Sequence, residues 1–147
     1  MFKHILIPTD GSPLATKAVE AGLEFAKEIG AKVTAYYGVE EIQPHVYGEG
    51  YIMDRKLMEE FDRRVREIGQ EHVDAIGKAA KKAGVKFTSA VTKAYAPHEG
   101  IIEAAKKEQC DVIFMASHGR RGLSGLIMGS VTNKVLTHSK IPVLVYR

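Results

Sequence analysis

Two stretches of the chain concentrate glycine, small hydroxyl and charged side chains. The first, "PTDGS", runs from Pro8 to Ser12 and sets a carboxylate, Asp10, between two hydroxyls and a glycine. The second, "ASHGRRGLSGLIMGS", runs from Ala116 to Ser130 and carries glycines at 119, 122, 125 and 129 beside Arg120 and Arg121. Glycine admits positive φ and lets a backbone come close to a ligand. Gly129-Ser130-Val131-Thr132 leads into a helical pattern, so free N–H groups and the positive end of a helix dipole would face the preceding loop, an arrangement that binds phosphate. Ser130 and Thr132 add hydroxyls, although Ser130 serves equally well as an N-cap alone. The arginines either reach a polyphosphate or stay solvated on a flexible turn. Asp10, at the end of an apolar strand, can accept ribose hydroxyls, cap a turn, or hold magnesium through water.

The elements that must position these loops follow from periodicity. "KHILIP" (3–8) reads as a buried strand. Ser12 is a good N-cap and Pro13 stands where a helix tolerates proline, with Leu14, Ala18, Ala21/Gly22, Phe25 and Ile29 stepping by three and four until Gly30. A second strand covers 31–39, and residues 40–53, with Pro44, Gly48 and Gly50, read as a loop. A long helix is expected from about 54 to 83 with Leu57, Phe61, Val65, Ile68, His72, Ala75, Ala79 and Ala83 on its apolar stripe. Glu59–Arg63, Glu60–Arg64 and Asp62–Arg66 are the expected i,i+4 pairs on its solvated side. His72 lies on that stripe and reads as a core or interface histidine rather than a ligand. Strands at 85–92, 110–117 and 141–147 and helices at 96–109 and 130–138 complete the pattern.

Strict β-α alternation with near-continuous apolar strands predicts one α/β domain over 1–147, an open five-stranded parallel sheet with helices on both faces. With strand order 3-2-1-4-5, the ligand crevice lies beyond the carboxyl ends of strands one and four, where "PTDGS" and the glycine-rich stretch would meet.

Composition narrows the function. Of 147 residues, 45% are hydrophobic and 27% charged, which argues against disorder. The single Cys110 rules out an internal disulfide and a Cys-based zinc knuckle. No apolar run approaches the roughly 20 residues that cross a bilayer. The first residues turn polar too soon for a signal peptide, so a cytoplasmic soluble protein is expected. The net charge of +3 is uneven: residues 115–147 hold five basic and no acidic side chains, leaving 16 basic against 18 acidic before them. That local excess suits a small anionic ligand better than nucleic acid, or else only aids solubility. No Gly-x4-Gly-Lys-Ser/Thr, His-Glu-x-x-His or Gly-x-Ser-x-Gly occurs, which argues against a P-loop NTPase, a zinc protease and a serine hydrolase elbow.

"ILIPTDGS" near the start, "GSVTNKVLTHSKIPVLVYR" at the end and the spacing between them resemble the universal stress protein family over the whole chain. Nucleotide-binding members carry Gly-x2-Gly-x9-Gly-Ser/Thr, matched here by Gly119, Gly129 and Ser130, with Ala116 in place of the first glycine. If that position needs a positive φ, alanine costs about 1 kcal/mol. The resemblance implies a Rossmann-like fold of the adenine nucleotide alpha hydrolase-like kind and a crevice for ATP, with or without Mg2+. It implies that Pro8, Thr9 and Asp10 lie against adenine and ribose, with Ser12 in the same loop, and that Val39 meets the adenine edge through its backbone. Met115, Ala116, His118 and Gly119 would line the ribose and phosphate path, Gly129, Ser130, Val131 and Thr132 would hold phosphates, and Arg120 would join by charge. It further implies a homodimer through the C-terminal strand and a stress-regulatory role with an unknown protein partner. Any hydrolysis or autophosphorylation would be slow, with Ser130 and Thr132 as the acceptors. The alternative is a module of the same fold that acts by protein contact alone, with no nucleotide; Ala116 is its best support.

Overall fold

The computed structural model describes residues 1–40, 55–120 and 128–147. The expected loop at 40–53 (save residue 40), and Arg121, Gly122 and Gly125, lie outside the described residues. The elements are β1 (His4–Pro8), α1 (Pro13–Ile29), β2 (Lys32–Glu40), α2 (Arg55–Ala83), β3 (Phe87–Ala94), α3 (Pro97–Lys107), β4 (Val112–Ala116), α4 (Ser130–His138) and β5 (Val143–Tyr146). All strand pairs are parallel, in the order β3-β2-β1-β4-β5. The chain therefore winds outward from β1 to β3, returns to the other side of β1 with β4, and opens a crevice between β1 and β4.

Period-two alternation along the strands sorts the core into two layers. Ile5, Ile7, Val33, Ala35 and Tyr37 pack with Val19 and Leu23 of α1 and Val73 and Ile76 of α2. Leu6, Tyr36, Ile113 and Met115 pack on the other face with Ile101 and Ile102 of α3 and Val135 of α4. Ends are set locally. The Ser12 hydroxyl accepts from Ala15 N–H at 3.2 Å, Pro13 opens α1, and Gly30 (φ 70°) closes it.

The helical stripes differ from expectation. In α1 the buried set is Ala15, Ala18, Val19, Gly22, Leu23 and Ala26, while Ile29 is exposed. In α2 Leu57 and Phe61 are exposed, as are Ala75 and Ala79, and the buried line is Gly69, Val73, Ile76 and Ala80. At 29 residues α2 is about 44 Å long, against about 30 Å for nine-residue β2, so its first turns outrun the sheet they would cover. Of the expected pairs only Asp62–Arg66 forms, at 3.3 Å; Glu59 pairs with Arg55 and Glu60 with Arg63 instead. Asp62 also meets Lys93 at 2.6 Å, tying α2 to β3. Among the described residues no helix is long and apolar enough to cross a membrane.

Candidate functional site

The first loop is built from its own hydroxyls and carboxylate. β1 ends at Pro8, opposite Tyr36, and Thr9 N–H donates to the Tyr36 carbonyl at 2.9 Å. The Thr9 hydroxyl accepts from Gly11 N–H at 3.1 Å, and Asp10 Oδ1 accepts from Ser12 N–H at 2.9 Å. These short-range bonds turn the chain out of the strand and into α1. The other Asp10 oxygen, Oδ2, accepts from Arg120 N–H at 2.8 Å. One carboxylate thus joins two loops 110 residues apart. Burial pushes the Asp10 carboxyl up, but hydrogen bonds from Ser12 and Arg120, together with the Arg120 charge, hold it below the ordinary carboxylate value. It stays an acceptor for further hydroxyl donors. Gly119 is what permits this approach, because a Cβ there would lie on Asp10 Oδ2.

The second loop closes on itself. Ser117 N–H donates to Tyr146 of β5 at 2.7 Å, and Gly129 N–H returns to the Ser117 carbonyl at 2.8 Å. A Cβ on Gly129 would stand 3.0 Å from His118 Cα and 3.2 Å from the Ser117 oxygen, tighter than ordinary packing. The first intrahelical bond of α4 runs from Asn133 N–H to Gly129 O at 2.9 Å, and among the described residues no side chain caps the helix. The N–H groups of Ser130, Val131 and Thr132 have no acceptor among the described residues, as in helix starts that take an anion.

Ala116 is buried at the end of β4 and has no positive φ; among the described non-glycine residues only Gln109 does. Its methyl carries no left-handed cost, which removes the support it lent to an empty crevice. The Thr132 hydroxyl is a correction. It is buried and donates to the Ala116 carbonyl at 3.0 Å, so it ties α4 to β4 and only the backbone N–H of Thr132 remains for a ligand. Ser130, by contrast, is exposed.

The other expected residues fall around the same opening. Pro8 and Thr9 are half-buried at the end of β1, and Ser12 is buried as the cap of α1. His118 is half-buried, its Nδ1 3.1 Å from the Ser117 hydroxyl, and Arg120 is exposed. Met115 turns its side chain into the core beside α3 and α4. Val39 is buried in the opposite layer, in register with Lys93 of β3. β2 outruns β1 from residue 37 onward. Lys32 N–H donates to Lys3 O of the β1 side and Val33 N–H to Lys86 O of the β3 side. By alternation, Gly38 and Glu40 present their backbone groups to the crevice side and Val39 presents its own to β3.

Two residues, Tyr37 and His72, join the site without having been singled out for it. The Arg120 guanidinium donates to the Tyr37 hydroxyl at 3.5 Å, and Tyr37 stacks on His72 with ring centroids 5.4 Å apart and an interplanar angle of 11°. The His72 ring lies against Gly11. The position of Tyr37, just past the reach of β1, was the available signal. Among the described residues no group of three or more His, Cys, Asp or Glu gathers as a metal site.

The universal stress protein family matches the chain over residues 1–147. Universal stress protein MJ0531 of Methanocaldococcus jannaschii is 33% identical over 151 aligned residues, covering 100% of this chain and 83% of its own. The solved structure of MJ0577, from the same organism, superposes with a TM-score of 0.83 at 30% identity and covers 99% of this chain and 95% of its own. A universal stress protein solved in complex with cAMP shares the fold at a TM-score of 0.71 and 19% identity, covering 99% of this chain and 97% of its own.

Proposed function

The chain belongs to the universal stress protein family, and from that premise and the crevice we propose that it binds an adenine nucleotide, ATP foremost, with or without Mg2+. One observation carries the reading. Asp10 and Gly129 both attach to the four residues Ser117–Arg120, Asp10 through Arg120 N–H and Gly129 through the Ser117 carbonyl, so a carboxylate and an uncapped helix start share one opening.

Asp10 would take ribose hydroxyls, the α4 amides and Ser130 would take phosphates, and Arg120 would add charge. The end of β2 that runs past β1, through the β1-side backbone groups of Gly38 and Glu40, would supply donors and acceptors for a base edge. The cAMP held by a protein of the same fold points to the same ligand class.

The protein acts in this reading as a cytoplasmic stress regulator that pairs with a second copy through β5, whose Leu144 is exposed. A regulatory protein partner would read its nucleotide state. The crevice has no Walker-type lysine, so turnover stays below the ordinary enzyme range of about 1 s⁻¹ upward. Exposed Ser130 is the acceptor for any autophosphorylation.

Equilibrium dialysis of ATP against the wild type and Asp10→Ala tests the site. Hydrogen bonds to a charged group are worth about 1.5–3 kcal/mol, so the variant is expected to bind about 10- to 100-fold more weakly. Unchanged tight binding would remove Asp10 from the site, and no measurable binding by the wild type would leave the module without nucleotide.

A further inference from the structure

Away from the crevice, two histidines from different helices meet on the α3–α4 side. His98 lies in the first turn of α3, half-buried, and His138 is the last residue of α4, exposed. Their ring centroids are 5.4 Å apart with the planes tilted by 57°. The carbonyl beside His138 favours one tautomer. The His138 Nδ1 is 2.8 Å from the Lys134 carbonyl oxygen, which can only accept, and 2.9 Å from the Thr137 hydroxyl; with the Nδ1 proton on the carbonyl, the neutral ring keeps its lone pair on Nε2. A backbone carbonyl on the second ring nitrogen is the usual support of a metal-bound imidazole.

The spacing fits a shared ion. With metal–nitrogen bonds of about 2.0–2.1 Å, two imidazoles at angles of about 109–120° hold their centroids about 5.1–5.5 Å apart. We propose that His98 and His138 form a two-imidazole site for a divalent transition-metal ion of the Zn2+, Ni2+ or Cu2+ type, which clasps the start of α3 to the end of α4. Water completes the coordination, since the described residues offer no third His, Cys, Asp or Glu in the group. Imidazole suits these ions and not Mg2+ or Ca2+, and the affinity order runs Cu2+ above Ni2+ and Zn2+. The site is independent of the nucleotide reading.

The test is calorimetric titration of the nucleotide-free full chain with ZnCl2, repeated with CuCl2 and MgCl2, on the wild type, His98→Gln and His138→Gln. Glutamine at 138 retains an N–H able to reach the Lys134 carbonyl, and far-UV circular dichroism checks that each variant is folded. The expected result is one Zn2+ per chain at micromolar concentration, tighter Cu2+, no Mg2+, and at least a tenfold loss of Zn2+ affinity in each variant. A second reading comes from Cu2+, whose paramagnetism should broaden the ring protons of His98 and His138 first. Zn2+ binding retained by both variants, half an ion per chain with pairing of copies, or no binding below millimolar Zn2+ would each overturn the proposal.

Discussion

At the amino ends of the strands, Asp111 accepts N–H bonds from Lys3 at 2.8 Å and His4 at 3.0 Å. At the carboxyl ends, Asp10 does the same for Ser12 and Arg120. In both places one carboxylate joins β1 to the segment around β4. The surroundings differ. Beside Asp111 the polar side chains pair with one another: His4 Nε2 lies 2.7 Å from the Thr34 hydroxyl, which lies 2.7 Å from that of Thr88, and only buried His4 Nδ1 is without a partner among the described residues. His4, Thr34 and Cys110 are all buried, and burial pushes the Cys110 thiol up to about 12. Beside Asp10 the first N–H groups of α4 have no side-chain cap among the described residues, and Ser130 and Arg120 are exposed. At the amino ends the buried polar side chains pair inside the protein, all but His4 Nδ1, and hold the sheet together, whereas at the carboxyl ends polar groups face an opening, as in a binding site.

The largest way to break this contrast is Thr34→Val. It removes the partner of buried His4 Nε2, at about 1–3 kcal/mol because burial denies that nitrogen water, while the exposed Thr88 hydroxyl can turn to solvent. Denaturant unfolding should show the loss, while ATP affinity of the folded protein should stay as in the wild type. At the open end, Gly129→Ala should act the other way. Its methyl presses on the 117–118 backbone and displaces the start of α4, so ATP affinity should fall about tenfold, or about 1.4 kcal/mol, in dialysis with a smaller change in stability.

Acidity separates the two ends further. Burial, then the Lys32 charge, holds the His4 ring below the ordinary histidine value. The unfolded chain takes this proton near pH 6.5 while the folded chain resists it. Stability is therefore complete above about pH 6.5 and falls as the pH drops toward the folded value, by at most about 1.4 kcal/mol per pH unit. His4→Gln should flatten that part of a stability–pH curve. Asp10, also lowered, contributes stability that is lost only at much lower pH, as the pH falls below the ordinary carboxylate value of about 3.9 and through its own lower one. The smallest effect is expected from Arg120→Ala. Asp10 accepts its hydrogen bond from the backbone N–H of residue 120 and feels the guanidinium only through its charge, so the exposed side chain should contribute about 0–1 kcal/mol, less than tenfold in ATP binding.

Much of this frame was legible in the residues. The caps Ser12 and Gly30, the Ile5–Ile7 run and the apolar strand read at 110–117 (observed at Val112–Ala116) placed the strands and helices, because each signal is read over a few neighbours. The meeting of the two glycine-bearing loops also followed, since alternating strands and helices with right-handed crossovers leave few ways to wind a parallel sheet. The stripe of α2 was misread because periodicity marks an apolar line, not where the sheet beneath it stops. Thr132 looked like a ligand hydroxyl because a threonine after a helix start reads the same whether it faces in or out.

What the residues determined unaided was the order and type of the elements and the chemistry gathered in two loops, because propensity, capping and alternation act over short stretches. Only the tertiary structure decided that Asp10 meets Arg120 N–H, that Thr132 turns inward, that Tyr37 and His72 stack at the opening, and that His98 faces His138. Those contacts join positions far apart in the chain, and their distances depend on strand register and helix placement that no local pattern carries.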